Sequence, residues 1–66
     1  MRLFVIQFRH SRFQEWQVGR VFKDQAEAMQ VAGEMAWLEG ATKTGYMTWK
    51  EETEGAVVRI IVRVLE

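Results

Sequence analysis

This chain of 66 residues has no cysteine, no proline, and a single histidine, serine and aspartate. Without cysteine there is no disulfide, no thiolate zinc site and no cysteine nucleophile. A Ser-His-Asp relay would need His10, Ser11 and Asp24 in one place. His10 and Ser11 are adjacent, so in an extended segment they point to opposite faces, and Asp24 is committed to capping a helix. A metal set fares no better. His10 is the only imidazole, and Glu51, Glu52 and Glu54 share one turn where water solvates them. No catalytic, metal or cofactor site is therefore expected, and the chain reads as a non-enzyme. No apolar run approaches the roughly 20 residues of a membrane-spanning helix. Met1-Arg2-Leu3 opens a strand-like run that is too polar by Gln7 for a secretory leader, so the expected setting is the cytoplasm, with no membrane partner. An excess of one charge sign is missing too. Nine Lys+Arg balance nine Asp+Glu, which excludes a bulk polycation and a uniformly acidic DNA mimic.

What is present is a globular composition: 48% hydrophobic, 27% charged and 12% aromatic residues, enough for one small domain. A chain of about 60 residues buries only about 60% of its unfolded surface. With no disulfide, metal or proline to help, extra burial against a second copy or a partner is expected.

Arg2 to Arg9 alternates with period two, which predicts a strand. His10-Ser11-Arg12 reads as a connection, and alternation resumes from Glu15 to Phe22, so the two strands form a hairpin. Gly19 inside the second strand marks a bulge or the close approach of another backbone. Asp24, with Glu27 three residues on, reads as an N-cap and capping box for a helix over 25–39, which Gly40 closes. Gly40 to Gly45 reads as a polar linker, Tyr46 to Glu51 as a third strand, Glu52 to Gly55 as a turn and Ala56 to Leu65 as a fourth strand. The linker has the glycine spacing of a phosphate loop, but Tyr46-Met47 follows it and it runs from helix to strand, the wrong direction for amides to face a phosphate.

The expected fold is thus α+β: one β-β-α-β-β domain spanning 1–66, a four-stranded sheet with the helix on one face. The first and fourth strands are apolar on both sides and belong in the centre, giving order 2-1-4-3 with a parallel central pair; a fully antiparallel order 2-1-3-4 is the alternative. The inner face should hold Phe4, Ile6, Phe8, Trp16, Val18, Phe22, Met47, Trp49, Val58, Ile60, Val62 and Val64, met by Ala28, Val31, Ala32, Met35 and Leu38 of the helix. Met29, Met35 and Met47 are gap-fillers in this reading.

Two surfaces stand out. On the helix back, Trp37 lies about 180° from Ala28 and shares its side with Ala26, Gln30 and Gly33, a small-residue groove with an aromatic at its end that suits a protein partner or a homodimer; the bland alternative folds Trp37 over the sheet edge. An open sheet edge is another route to a dimer. On the outer sheet face, Leu3, Val5, Gln7, Arg9, Gln17, Val21, Tyr46, Thr48, Lys50, Arg59, Ile61 and Arg63 should project with no second helix to cover them. Charge is also segregated: residues 24–39 hold four acids and no base, while the rest of the chain holds nine bases and five acids.

In its small size, its single β-β-α-β-β unit and its strand-to-helix join Val18-Gly19-Arg20-Val21-Phe22-Lys23-Asp24-Gln25-Ala26-Glu27-Ala28, the chain resembles small phage- or prophage-encoded proteins. That class includes anti-CRISPR and other anti-defence inhibitors. The resemblance implies a protein that acts by occupying a surface, an inhibitor of a bacterial defence complex, and it carries over no functional residue; the balanced charge departs from acidic, DNA-mimicking members. The functional expectation is a non-enzymatic binding protein that blocks or bridges a macromolecule. The alternative is a nucleic-acid or nucleotide binder, with Arg9, Lys50, Arg59 and Arg63 on phosphates and Tyr46 stacked on a base.

Overall fold

The computed structural model describes residues 1–65. Its elements are β1 (Arg2–Phe8), β2 (Gln17–Phe22), α1 (Gln25–Leu38), β3 (Thr42–Gly45), β4 (Thr48–Glu51) and β5 (Gly55–Val64). The helix starts and stops where local chemistry directs. The Asp24 carboxylate accepts a hydrogen bond from the Glu27 N–H at 3.2 Å. At the other end Gly40 takes φ 72°, and the Ala41 and Gly40 N–H groups donate back to the Ala36 and Trp37 carbonyls. This is the paired closure that a left-handed glycine permits.

The sheet is antiparallel throughout, in the order β2-β1-β5-β4-β3. Two expectations fail here for one reason. The segment read as a linker contains β3, which pairs with β4 through Thr42–Lys50 and Lys43–Trp49, so the sheet has five strands rather than four. Thr-Lys-Thr-Gly is exposed on both sides and needs no apolar alternation; its backbone alone makes the ladder. Each hairpin reverses the chain, so one unread strand inverts every later direction. The central pair, β1 and β5, is antiparallel instead of parallel. The last strand sits beside β1, which also overturns the order 2-1-3-4. The edge strands β2 and β3 run in the same direction, and α1 spans the sheet between them, lying over β5 and β1.

The core consists of Phe4, Ile6, Trp49, Val57, Val58 and Ile60 of the sheet and Ala28, Ala32 and Ala36 of the helix. Phe8, Phe22, Met29, Val31, Met35 and Met47 pack partly buried around it. The helix places alanine every fourth residue against the sheet, so its backbone lies close and the strands supply the bulk. Leu38, expected in the core, is exposed, one step round the wheel from the buried stripe; Ala36 takes its place. Val62 and Val64 share the inner face but lie near the end of β5, and both are exposed.

Two bulges decide the remaining faces. Val5 stands opposite Val21 and Gln7 opposite Val18, so β2 spends three residues where β1 spends two. An added Cβ at Gly19 would lie 3.4 Å from the Ile6 carbonyl oxygen and 3.4 Å from the Phe8 ring, so both readings of that glycine hold. The extra residue turns everything before it over. Val18 and Trp16 lie on the outer face, not in the core, and Val18 is 61% exposed. Gln17, expected outside, stands opposite Phe8 on the helix side. In β5, Val57 is the extra residue between the pairs Trp49–Val58 and Lys50–Ala56, and consecutive valines are both buried.

Candidate binding surfaces

The outer sheet face is built in rows. Val21, Val5 and Ile61 stand abreast across β2, β1 and β5, and the next row holds Val18, Gln7, Arg59 and Thr48. Arg63 lies opposite Leu3 toward one end, and Lys50 lies between Thr42 and Ala56 toward the other. Among the described residues no element covers these side chains, and no strand position on this face carries a carboxylate. Four of the five residues assigned to this surface, Arg9, Lys50, Arg59 and Arg63, therefore share this face, and of these Arg9 and Arg59 come together.

The fifth, Tyr46, is not. It occupies the β3–β4 turn, and its hydroxyl is bonded to the Gln25 side-chain amide at the helix start, so it belongs to the helix side. The outward aromatic is Trp16. The Arg9 and Arg59 guanidinium carbons lie 4.1 and 4.2 Å from its ring centroid. Arg59 Nε donates to Gln7 Oε1 at 2.7 Å, and Arg9 Nε donates to the Ala56 carbonyl at 2.8 Å. Cation, ring and amide thus hold one another in place, each cation–ring contact contributing about 0.5–1 kcal/mol at such a site. A signal for Trp16 was present in the sequence: a bulge at Gly19 requires every residue before it to change face.

On the helix back, Ala26, Gln30 and Trp37 are exposed, and nothing lies within 4 Å of a Cβ built on Gly33. Trp37 is 78% exposed, which rules out its folding over the sheet edge. The four residues share one open side, where Glu27 and Glu34 are exposed as well.

Among the described residues no Lys or Arg is paired with an Asp or Glu; the one close contact of opposite groups is His10 Nδ1 with Glu39 Oε1 at 3.7 Å. The segregation read along the chain is only partly one in space: Arg9, Lys50, Arg59 and Arg63 lie on the bare sheet face, but Arg2 and Lys43 stand opposite Val64 and Trp49 on the helix side. Among the described residues no helix is long and apolar enough to cross a membrane. No protein-family model, curated protein or solved structure matches this chain.

Proposed function

We propose that this chain is a non-enzymatic binding protein that acts by occupying the surface of a macromolecular partner, with the uncovered sheet face as its contact surface. The observation that carries this reading is the makeup of that face. An apolar row, Val21-Val5-Ile61, lies among Arg9, Lys50, Arg59 and Arg63, with Trp16 set between two of the arginines and no carboxylate from any strand position. Trp and Arg are the residues in which binding energy concentrates at protein interfaces. The complementary partner is a protein surface with carboxylates around an apolar patch. For such a protein, binding suffices to block, which is how an inhibitor of a bacterial defence complex would act.

The test compares the tagged chain with Lys50→Glu/Arg63→Glu and with Val21→Asp in affinity capture from bacterial lysate. All three positions are exposed, so the fold should hold. A partner kept by the parent chain and lost by both variants supports the reading; one kept equally by all three places the contact elsewhere.

Trp16 favours a second reading, single-stranded nucleic acid bound across the same face, since an aromatic among cations on an open sheet is how single-strand binders stack bases. The apolar row weighs against it, as does a ring that already carries two guanidinium groups. Each phosphate contact would add a log–log salt slope of about −0.7. Fluorescence anisotropy showing no oligonucleotide binding at low salt removes this reading.

A further inference from the structure

We propose that the chain associates end to end with a second copy of itself, Phe13 of each copy entering a cleft of the other between the helix C-terminus and the end of β1. Phe13 is 85% exposed, the most exposed of the large apolar side chains among the described residues. The loop that carries it is nevertheless held. His10 N–H donates to Gln14 Oε1, Gln14 N–H to the Ser11 carbonyl, Phe13 N–H to Ser11 Oγ, and Arg12 N–H to the Glu54 carbonyl of the neighbouring turn at 3.0 Å. A fixed loop that presents a bare aromatic is preorganised for contact, because little ordering entropy remains to be lost on binding.

The receiving site lies at the same end of the molecule. Phe8, Val58, Met35 and Leu38 line a cleft of about 170 Å³, with His10 and Glu39 at its lip. An apolar cavity of about 150 Å³ accepts a benzene-sized ring, so one phenyl group fits. Charge agrees with the pairing: Arg12, whose guanidinium lies 5.0 Å from the Phe13 ring, would arrive beside Glu39 on a helix with four acids in and around it and no base. Because donor and acceptor sit at one end, the contact is made twice about a two-fold axis, the closed geometry of most homodimers. Two phenyl anchors make a small interface, so the association is weak. The outer sheet face stays free, and this dimer stands or falls independently of the partner proposed for that face.

Sedimentation of the full chain up to about 1 mM tests it. The expected result is a monomer–dimer equilibrium that Phe13→Ala and Leu38→Glu each weaken at least tenfold. Both positions are exposed, and unchanged circular dichroism melts verify the fold. Mixing the two variants restores one of the two contacts, Phe13 of the Leu38→Glu chain in the cleft of the Phe13→Ala chain, so the mixture associates more tightly than either variant alone and more weakly than the parent. A chain that stays monomeric to about 1 mM overturns the proposal. So does a dimer that survives both substitutions, or one that only Trp37→Ala disrupts.

Discussion

On the helix side of the sheet, Ile6 and Ile60 stand opposite each other and lose almost all contact with water. One residue along the same two strands, Val5 and Ile61 stand opposite each other and keep part of theirs. Both strands carry apolar residues on each face, although the outer face also holds Gln7, Arg59 and Arg63. What separates the faces is cover: a single helix of 14 residues, about 21 Å long, can lie on only one of them. The covered face is a core whose neighbours are fixed. The open face keeps its apolar row at the surface among cations that have no ion-pair partner among the described residues. The comparison teaches that the apolar pattern of the strands marks two faces for burial, while the fold of one chain buries one.

The sharpest way to break this contrast is to remove volume from the covered side. Ile60→Ala should cost about 2–5 kcal/mol, the range for large-to-small changes at buried sites, and a urea melt of so small a domain should show most of its stability gone. A cost near zero would mean that the faces have been exchanged. Adding volume should hurt as well. Ala32→Leu places a branched side chain where the helix backbone lies close to the sheet, and about 1–3 kcal/mol of destabilisation is expected by the same melt. Were the helix held off by large side chains of its own, that substitution would be neutral. The smallest effect belongs to Val18→Thr on the open side, expected within about 0.5 kcal/mol of the parent. A loss above about 1 kcal/mol would return Val18 to the core and dissolve the bulge at Gly19.

These three positions differ in how well the sequence announces them. Ile60 lies in a long alternating strand and is readable as core. Ala32 is readable as inward-facing, but the inversion of size on the helix is not: its buried stripe is alanine, while Trp37 and Leu38, its bulkiest apolar residues, face water. A helical wheel centred on the apolar residues credits Leu38 with burial, whereas the buried stripe is turned toward Ala28, Ala32 and Ala36 and leaves Leu38 outside it. Val18 is misread outright, because alternation counted from Phe22 assumes an unbroken pleat. Of the candidate surface residues, Arg9, Lys50, Arg59 and Arg63 are found by alternation along their own strands. Tyr46 and Trp16 exchange places because one lies in a turn and the other lies beyond a bulge.

The sequence by itself determined the helix from the Asp24 cap to the Gly40 closure, the alternating strands on either side of it, and the central placing of the first and last strands. Each of these rests on groups within a few residues of one another, or on a strand being apolar on both sides. Only the tertiary structure decided that Thr42–Gly45 is a strand, that β1 and β5 run antiparallel, that Trp16 lies outside and that Val57 and Val58 are both inside. Those outcomes depend on parity, the number of reversals and of extra residues along the path. With side chains alternating every residue, a single bulge or hairpin changes the answer for everything beyond it, and it shows itself only where one strand is laid against the next.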